Sequence, residues 1–383
     1  MDEETRRAVA AADEALPDSD ALPDAIDAGR VVFGFDGYLD RVREVVADRI
    51  DPESHERLAT LEGFGDRIDR SVAADSSLSF EWLQQGSRTG GHTSHLARAF
   101  GGWSFDPVMV GMYGDPVHDA FEAEFGEYDL HSIGEPGVTD AVEFDDGKLM
   151  LTEIGDTMSL DWAELDAAFG HDRLAGKLDG ASLLGTGYWS ETPDLPTVFD
   201  GLRDLWGDID DPPETVLVDP GDVRKLDADR LRAGREAIGR LDEVTDVVIS
   251  SNRAETGVLA DAYAGDAERS FAGDAERSFA DDAEAVFEAL EPTWFVGHGV
   301  ERSVAVSGDG TDSVAVPAVP DPKLTTSSGD HFNAGLGLAL IAGLPPAAAV
   351  VVGNAVAGYF VRTADQPSLA DVRAFVDDYL KKF

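Results

Sequence analysis

The chain has 383 residues, no Cys, and 76 Asp and Glu against 30 Lys and Arg, for a formal net charge of −46. The missing Cys excludes a disulfide framework and thiolate chemistry, and a surface this acidic, with no basic face, excludes nucleic acid and anionic membranes as partners. Hydrophobic content of 43% supplies a packed core, while acid spread along the whole chain and only six Lys read as adaptation to molar salt, where a Debye length of ~3 Å screens the self-repulsion.

Met1 to Asp27 is acidic and rich in Ala, without an apolar core after a basic start. It reads as a helical extension over residues 1–29 rather than a secretory signal, and the cytoplasm is the expected location. Val31 to Phe35 is a β-branched and aromatic run, the first strand of a domain over 30–383. Asp36 and Asp40 follow it, within Gly34-Phe35-Asp36-Gly37-Tyr38-Leu39-Asp40, and can accept hydrogen bonds from hydroxyls. Residues 41–75 read as helical and charged, and Ser79 to Leu83 as a strand. Gly90 and Gly91 open a helix from His92 to Phe100, and glycine there lets backbone approach a ligand. Val108 to Gly111 is a buried-type strand, Pro116 to Phe125 a helix, and 141–144 with 149–151 a hairpin.

From there short apolar strands at 182–185, 215–218, 247–249 and 294–296 are mostly separated by helical stretches, which argues for a parallel sheet covered on both faces. Asn252 and Glu255 follow the third of these strands. Three apart at a helix start, they suit waters around Mg2+, and equally a capping box. Residues 265–272 are repeated as 273–280, a duplication with no function assigned. A second hairpin joins 303–306 to 313–316. Ala334 to Val361 has no charged residue and is long enough to span a bilayer, but Pro345-Pro346 splits it into two core helices.

The most informative segment precedes those helices: Thr325-Thr326-Ser327-Ser328-Gly329-Asp330-His331-Phe332-Asn333-Ala334-Gly335. A polar turn ending in Gly-Asp opens an apolar helix. It leaves the first backbone N–H groups without partners, and with the helix dipole these suit phosphate oxygens. Asp330 beside them is placed to take a proton from an attacking hydroxyl. The plain alternative is an N-cap. Neither Gly-Lys pair is followed by Ser or Thr, which excludes a Walker A loop, and Gly185-Thr186-Gly187 lacks the third glycine of a dinucleotide fingerprint.

The order of these features resembles the ribokinase-like, or PfkB, family of carbohydrate kinases over roughly residues 30 to 375. Leu324 to Gly335 is similar to that family's Asp-Thr-Thr-Gly-Ala-Gly-Asp-x-Phe-x-Ala-Gly, Asn252 to Glu255 to its Asn-x-x-Glu, Gly111 to Asp115 to its Gly-x-x-Gly-Asp, and Asp219-Pro220 with Arg224 to its Asp-Pro-Asn-x-Arg. Leu324 replaces an Asp, Ser327 and Ser328 replace Gly-Ala, His95 stands where the family has a sugar-contacting Asn, and Gly299 lacks its second glycine partner at position 302.

The resemblance implies a three-layer α/β/α sandwich with a mostly parallel sheet and a small β lid drawn from 36–90 and 138–154. It implies transfer of the γ-phosphate of ATP to a small sugar or sugar-like alcohol. Asp330 would be the base, and the backbone of Ser327, Ser328 and Gly329 would hold the moving phosphoryl group. Asp36, Asp40, Gly90, Gly91 and His95 would hold the acceptor. Asn252, Gly299 and Asn354 would face the nucleotide, and Glu255 would hold Mg2+, with Asn252 acting through water; K+ is a candidate second ion. An exposed lid would pair two copies. A sugar or nucleotide sensor without catalysis, a nucleoside kinase and an ADP-dependent sugar kinase are the alternatives.

Overall fold

The computed structural model describes residues 2–16, 29–264 and 277–383. Most of the 265–280 duplication and the later part of the N-terminal extension lie outside them. The strands are β1 (Arg30–Gly34), β2 (Tyr38–Arg49), β3 (His55–Arg57), β4 (Trp82–Gly90), β5 (Asp106–Met112), β6 (Asp129–Gly134), β7 (Gly137–Glu143), β8 (Lys148–Glu153), β9 (Leu184–Gly187), β10 (Thr215–Asp219), β11 (Asp246–Asn252), β12 (Trp294–His298), β13 (Arg302–Ser307) and β14 (Gly310–Ala315). They form two sheets.

Among the described residues the larger sheet has the order β14-β13-β12-β11-β10-β9-β1-β5-β6. It is parallel from β6 to β12 and ends in the antiparallel β13–β14 hairpin. Its central strands are short apolar runs because both faces are covered. Val31 and Phe33 pack to one side with Leu96, Phe100, Leu336 and Val350, and Val32 packs to the other with Leu178, Phe199 and Leu202. The apolar run from Ala334 is two helices, Ser328–Ile341 and Pro346–Thr363, packed on each other beneath the sheet. Among the described residues no helix is long and apolar enough to cross a membrane. The ribokinase-type three-layer α/β/α architecture is therefore present.

The smaller sheet corrects the helical reading of 41–75. Residues 38–49 are one long strand, 55–57 a short one, and only Leu61–Ala73 is helical. Strand β2 pairs with β4 on one edge and with β7 and β3 on the other, and β8 pairs with β7. The sequence of β2 is charged and alternates no clear apolar face. Arg41 and Arg43 both reach Asp140 on β7, at 2.9 and 2.7 Å, so a strand with little core to face is held by cross-strand ion pairs as well as its ladder. A cluster of Val45, Val142 and Phe144 with Phe64 and Phe80 docks the helix on this sheet. Two smaller corrections concern boundaries: the strand expected at 79–83 begins at Trp82, and the helix expected from Pro116 begins at Asp119.

Candidate active site

The parallel strands of the larger sheet point their carboxyl ends at one edge, where ligands bind in open α/β sheets. Asp36 follows β1, Tyr188 follows β9, Asp219 ends β10, Asn252 ends β11 and His298 ends β12. The Gly329-Asp330 turn reaches the same edge.

That turn is built around Ser327, whose backbone is left-handed at φ 64. The bend leaves Ser327 without a side-chain cap bond, and its Oγ lies 3.0 Å from His95 Nε2 instead. The Ser328 N–H donates to the Thr325 carbonyl, and the His331 N–H to the Ser327 carbonyl. Among the described residues the N–H groups of Gly329 and Asp330 have no such acceptor, so these two, and not Ser328, are free to donate to an anion. A Cβ on Gly329 would stand 3.3 Å from the His298 ring.

Asp330 is buried at 6% exposure. Tyr188 donates its hydroxyl to Oδ1 at 2.6 Å, His92 Nδ1 lies 3.1 Å from the same oxygen, and His95 Nε2 lies 3.9 Å from Oδ2. Burial pushes the Asp330 carboxyl up, but the neighbouring His95 and His92 and the Tyr188 bond outweigh it and hold it below the usual range. Burial lowers His95 to about 4, so at neutral pH the closer partner of the Asp330 carboxylate is His92. Burial also opposes charge on His92, but the Asp330 bond and the charges of Asp219 and Asp36 raise it overall. Burial pushes the Tyr188 phenol well above its ordinary value, which keeps the proton it donates to Asp330.

Three adjoining cavities meet at this turn. The first, about 410 Å³, is lined by Tyr38, Asp40, Gly91, His95, Thr139, Thr152, Glu191, Lys225 and Asp330. The second, about 280 Å³, is lined by Asp219, Asp222, Asn252, Glu255, His298 and Ser327 to Asp330. The third, about 470 Å³, is mostly apolar and includes Gly299, Val316, Pro317, Phe332, Asn354 and Val361. Asp330 is shared by the first and second, and Ser328 and Gly329 by the second and third.

The capping box at Asn252 is formed. Its Oδ1 accepts from the Ala254 and Glu255 N–H groups, and Glu255 Oε2 accepts from the Asn252 N–H at 2.9 Å. Both residues nevertheless line the second cavity, so the structural and ligand-facing readings hold together. Among the described residues no Lys or Arg lines that cavity, while Asp219, Asp222 and Glu255 do. Burial raises Asp219 to about 6, and burial together with the Asp219 charge raises Glu255 to about 8. Nearby cations are already engaged: Arg224 with Asp222 at 2.6 Å, and Lys225 with Glu191. Asp219 and Glu255, which have no Lys or Arg partner, are oxygen donors of the kind a hard divalent cation such as Mg2+ takes, with Asp222 beside them on Arg224.

The structure brings together most of the residues singled out from sequence, and moves three. Asp36 is a correction: it is fully buried and lines none of the three cavities. It accepts from the His92 and Thr93 N–H groups at 2.7 and 3.0 Å and from the Thr93 hydroxyl, and so caps the helix His92–Gly102. Gly91, at φ +93, is glycine because a Cβ there would stand 2.7 Å from Asp36 Oδ2. Asp40 lines the first cavity, where burial raises its carboxyl. Gly90 ends β4 behind the lining, opposite Tyr38. Asn354 borders the third cavity, but its amide is held by Ser303 and Tyr379. Sequence reasoning missed Tyr188, His92, Glu191 and His298. Two of these carried a readable signal: Tyr188 and His298 stand at carboxyl ends of parallel strands.

The family model described as prokaryotic ketohexokinase matches residues 1–379. A ketohexokinase of Haloferax volcanii is 52% identical over 365 residues, 95% of either chain. Among solved structures, a ribokinase from Thermotoga maritima has a TM-score of 0.59 at 16% identity, over 91% of this chain and 99% of its own. An Arabidopsis thaliana ribokinase complexed with ribose and ATP has a TM-score of 0.59 at 13% identity, over 91% and 98%. At these identities the structural likeness establishes the fold.

Proposed function

This chain belongs to the prokaryotic ketohexokinase family, and we propose that it is a carbohydrate kinase that moves the γ-phosphoryl group of ATP to a hydroxyl of a ketohexose, with Asp330 as the general base. The observation that carries this reading is the position of Asp330. It lies where a polar acceptor cavity meets the second cavity, beside two backbone N–H groups without acceptors at a helix start.

In this reading the sugar occupies the cavity of Asp40, Thr139, Thr152 and His95, with one hydroxyl against Asp330. Tyr188 and His92 fix the carboxylate's orientation and charge. A carboxylate held low is a weak base, so the proton moves to Asp330 as the new P–O bond forms rather than before it. The Gly329 and Asp330 N–H groups and the helix dipole stabilise the charge on the transferred group. Asp219, Asp222 and Glu255, with Asn252 through water, would hold Mg2+, which supplies neutralisation of the phosphate charge. K+ has no role in this reading. The apolar third cavity takes the base of the nucleotide. Pairing of two copies is assigned to the smaller sheet, where Trp82, Met150 and Leu151 are 42%, 49% and 48% exposed. Family membership favours a sugar over a nucleoside as acceptor, and a complete set of site residues favours a catalyst over a sensor.

The test is ADP release with ATP and Mg2+ at ~2 M KCl, which screens the acidic surface, against ketohexoses, aldoses and nucleosides, with product mass measured. A phosphorylated ketohexose as the main product is expected. Preferred phosphorylation of a nucleoside, or no transfer to any sugar, would overturn the reading.

A further inference from the structure

The third cavity, about 470 Å³, is mostly apolar and offers little hydrogen bonding. Its lining divides in two. Asn252, His298, Thr325, Ser328 and Gly329 are shared with the second cavity and mark the phosphate end. The remainder marks the base end, where side chains such as Val316, Val319, Phe332, Ala357 and Val361 are apolar.

The buried polar side chains at that end are committed to the fold, with Asn354 and Arg362 each keeping only a spare N–H or two. Asn354 Oδ1 accepts from Ser303 Oγ at 2.8 Å, and its Nδ2 donates to the Tyr379 hydroxyl at 3.1 Å. The Arg362 guanidinium donates to the carbonyls of Gly358 at 2.7 Å, Pro317 at 3.2 Å and Ala318 at 3.0 Å. The Val316 N–H donates to the Glu301 carbonyl, and Pro317 and Pro322 have no N–H to offer. Ala357 and Gly358 lie inside a helix whose ladder uses their backbone. Arg253 is exposed and lies over the Phe279 ring. What is left at that end is the spare capacity of Asn354 and Arg362, the exposed Arg253, and backbone at Val319 and at Gly299–Val300, with Val300 89% exposed, where water competes for the same groups.

A purine's identity is carried by its hydrogen-bonding edge, since adenine, hypoxanthine and guanine share a nearly common shape. A site that hydrogen-bonds a group rejects the analogue lacking it by ~10⁴–10⁵-fold, whereas an apolar pocket rejects a polar isostere by only ~10²-fold. We infer that this enzyme reads its phosphoryl donor as a purine nucleoside triphosphate by shape, and uses ITP and GTP as well as ATP. This rests on the kinase reading above, which names ATP as the donor.

The experiment measures kcat/KM for ATP, ITP and GTP with one saturating ketohexose, and calorimetric affinities for ADP, IDP and GDP on the same protein. Ratios within ~10²-fold across the three bases are expected for both quantities. An ATP preference over GTP or ITP beyond ~10²-fold, or the matching diphosphate preference, would overturn the inference. The affinities read the base pocket without turnover, so an enzyme that bound all three diphosphates and transferred nothing would sink the kinase reading and leave the base preference standing.

Discussion

Glu255 shows how one residue couples the cavity's charge to its ligand. Its folded pKa is raised to about 8 from an ordinary 4.5, so in the metal-free protein it keeps its proton through neutral pH. Because the unfolded chain releases this proton near 4.5 and the folded one holds it to about 8, stability falls as pH rises between the two, and a bound cation offsets that loss. Because the cation must displace the proton, Mg2+ or Mn2+ affinity should rise about tenfold per pH unit between ~6 and ~8 and level off above, one proton being exchanged per ion. Titration calorimetry at several pH values reads the slope, and Glu255→Gln should flatten it. A flat profile in the native protein, or an unchanged slope in the variant, would show that Glu255 does not hold the ion. The residue type and spacing were legible in sequence. Its environment was not, because the shift comes from burial in the folded chain and from the charges of Asp219 and Asp222, more than 30 positions away.

At the scale of elements, legibility followed how locally each one is determined. The turn at 325–330 and the two helices after it were readable because caps, helix dipole and apolar period act within a few residues. The central strands were readable because burial on both faces leaves continuous apolar runs. Strand β2 was not, since its stability comes from partners at Asp140 and along β4, and its own sequence alternates no clear apolar face. Asp36 failed for a similar reason. A carboxylate after a strand suits a hydroxyl ligand or a helix N-terminus equally well, and only the packing of the helix at 92–102 decides between them. His92 and Tyr188 were missed because their role lies in meeting Asp330, 238 and 142 positions away.

The whole molecule carries a formal net charge of −46, and its ion pairs are mostly exposed ones, each worth ~0–1 kcal/mol. Long-range repulsion between carboxylates therefore dominates the surface in dilute buffer. Thermal unfolding followed by circular dichroism should give a Tm that rises steeply between ~0.1 and ~2 M KCl, as the Debye length falls from ~10 Å to below 3 Å. A Tm independent of salt would mean the acid is balanced within the fold. Activity assays depend on this, since protein unfolded in low salt would pass for an inactive enzyme.

The central claim, that Asp330 is the base of a phosphoryl transfer, is tested most directly by Asp330→Asn in that salt. The account predicts that kcat for ketohexose phosphorylation falls by ~10²–10⁴-fold, the worth of a general base, while calorimetric affinity for ADP with Mg2+ stays near the native value. Near-native kcat in Asp330→Asn would contradict it.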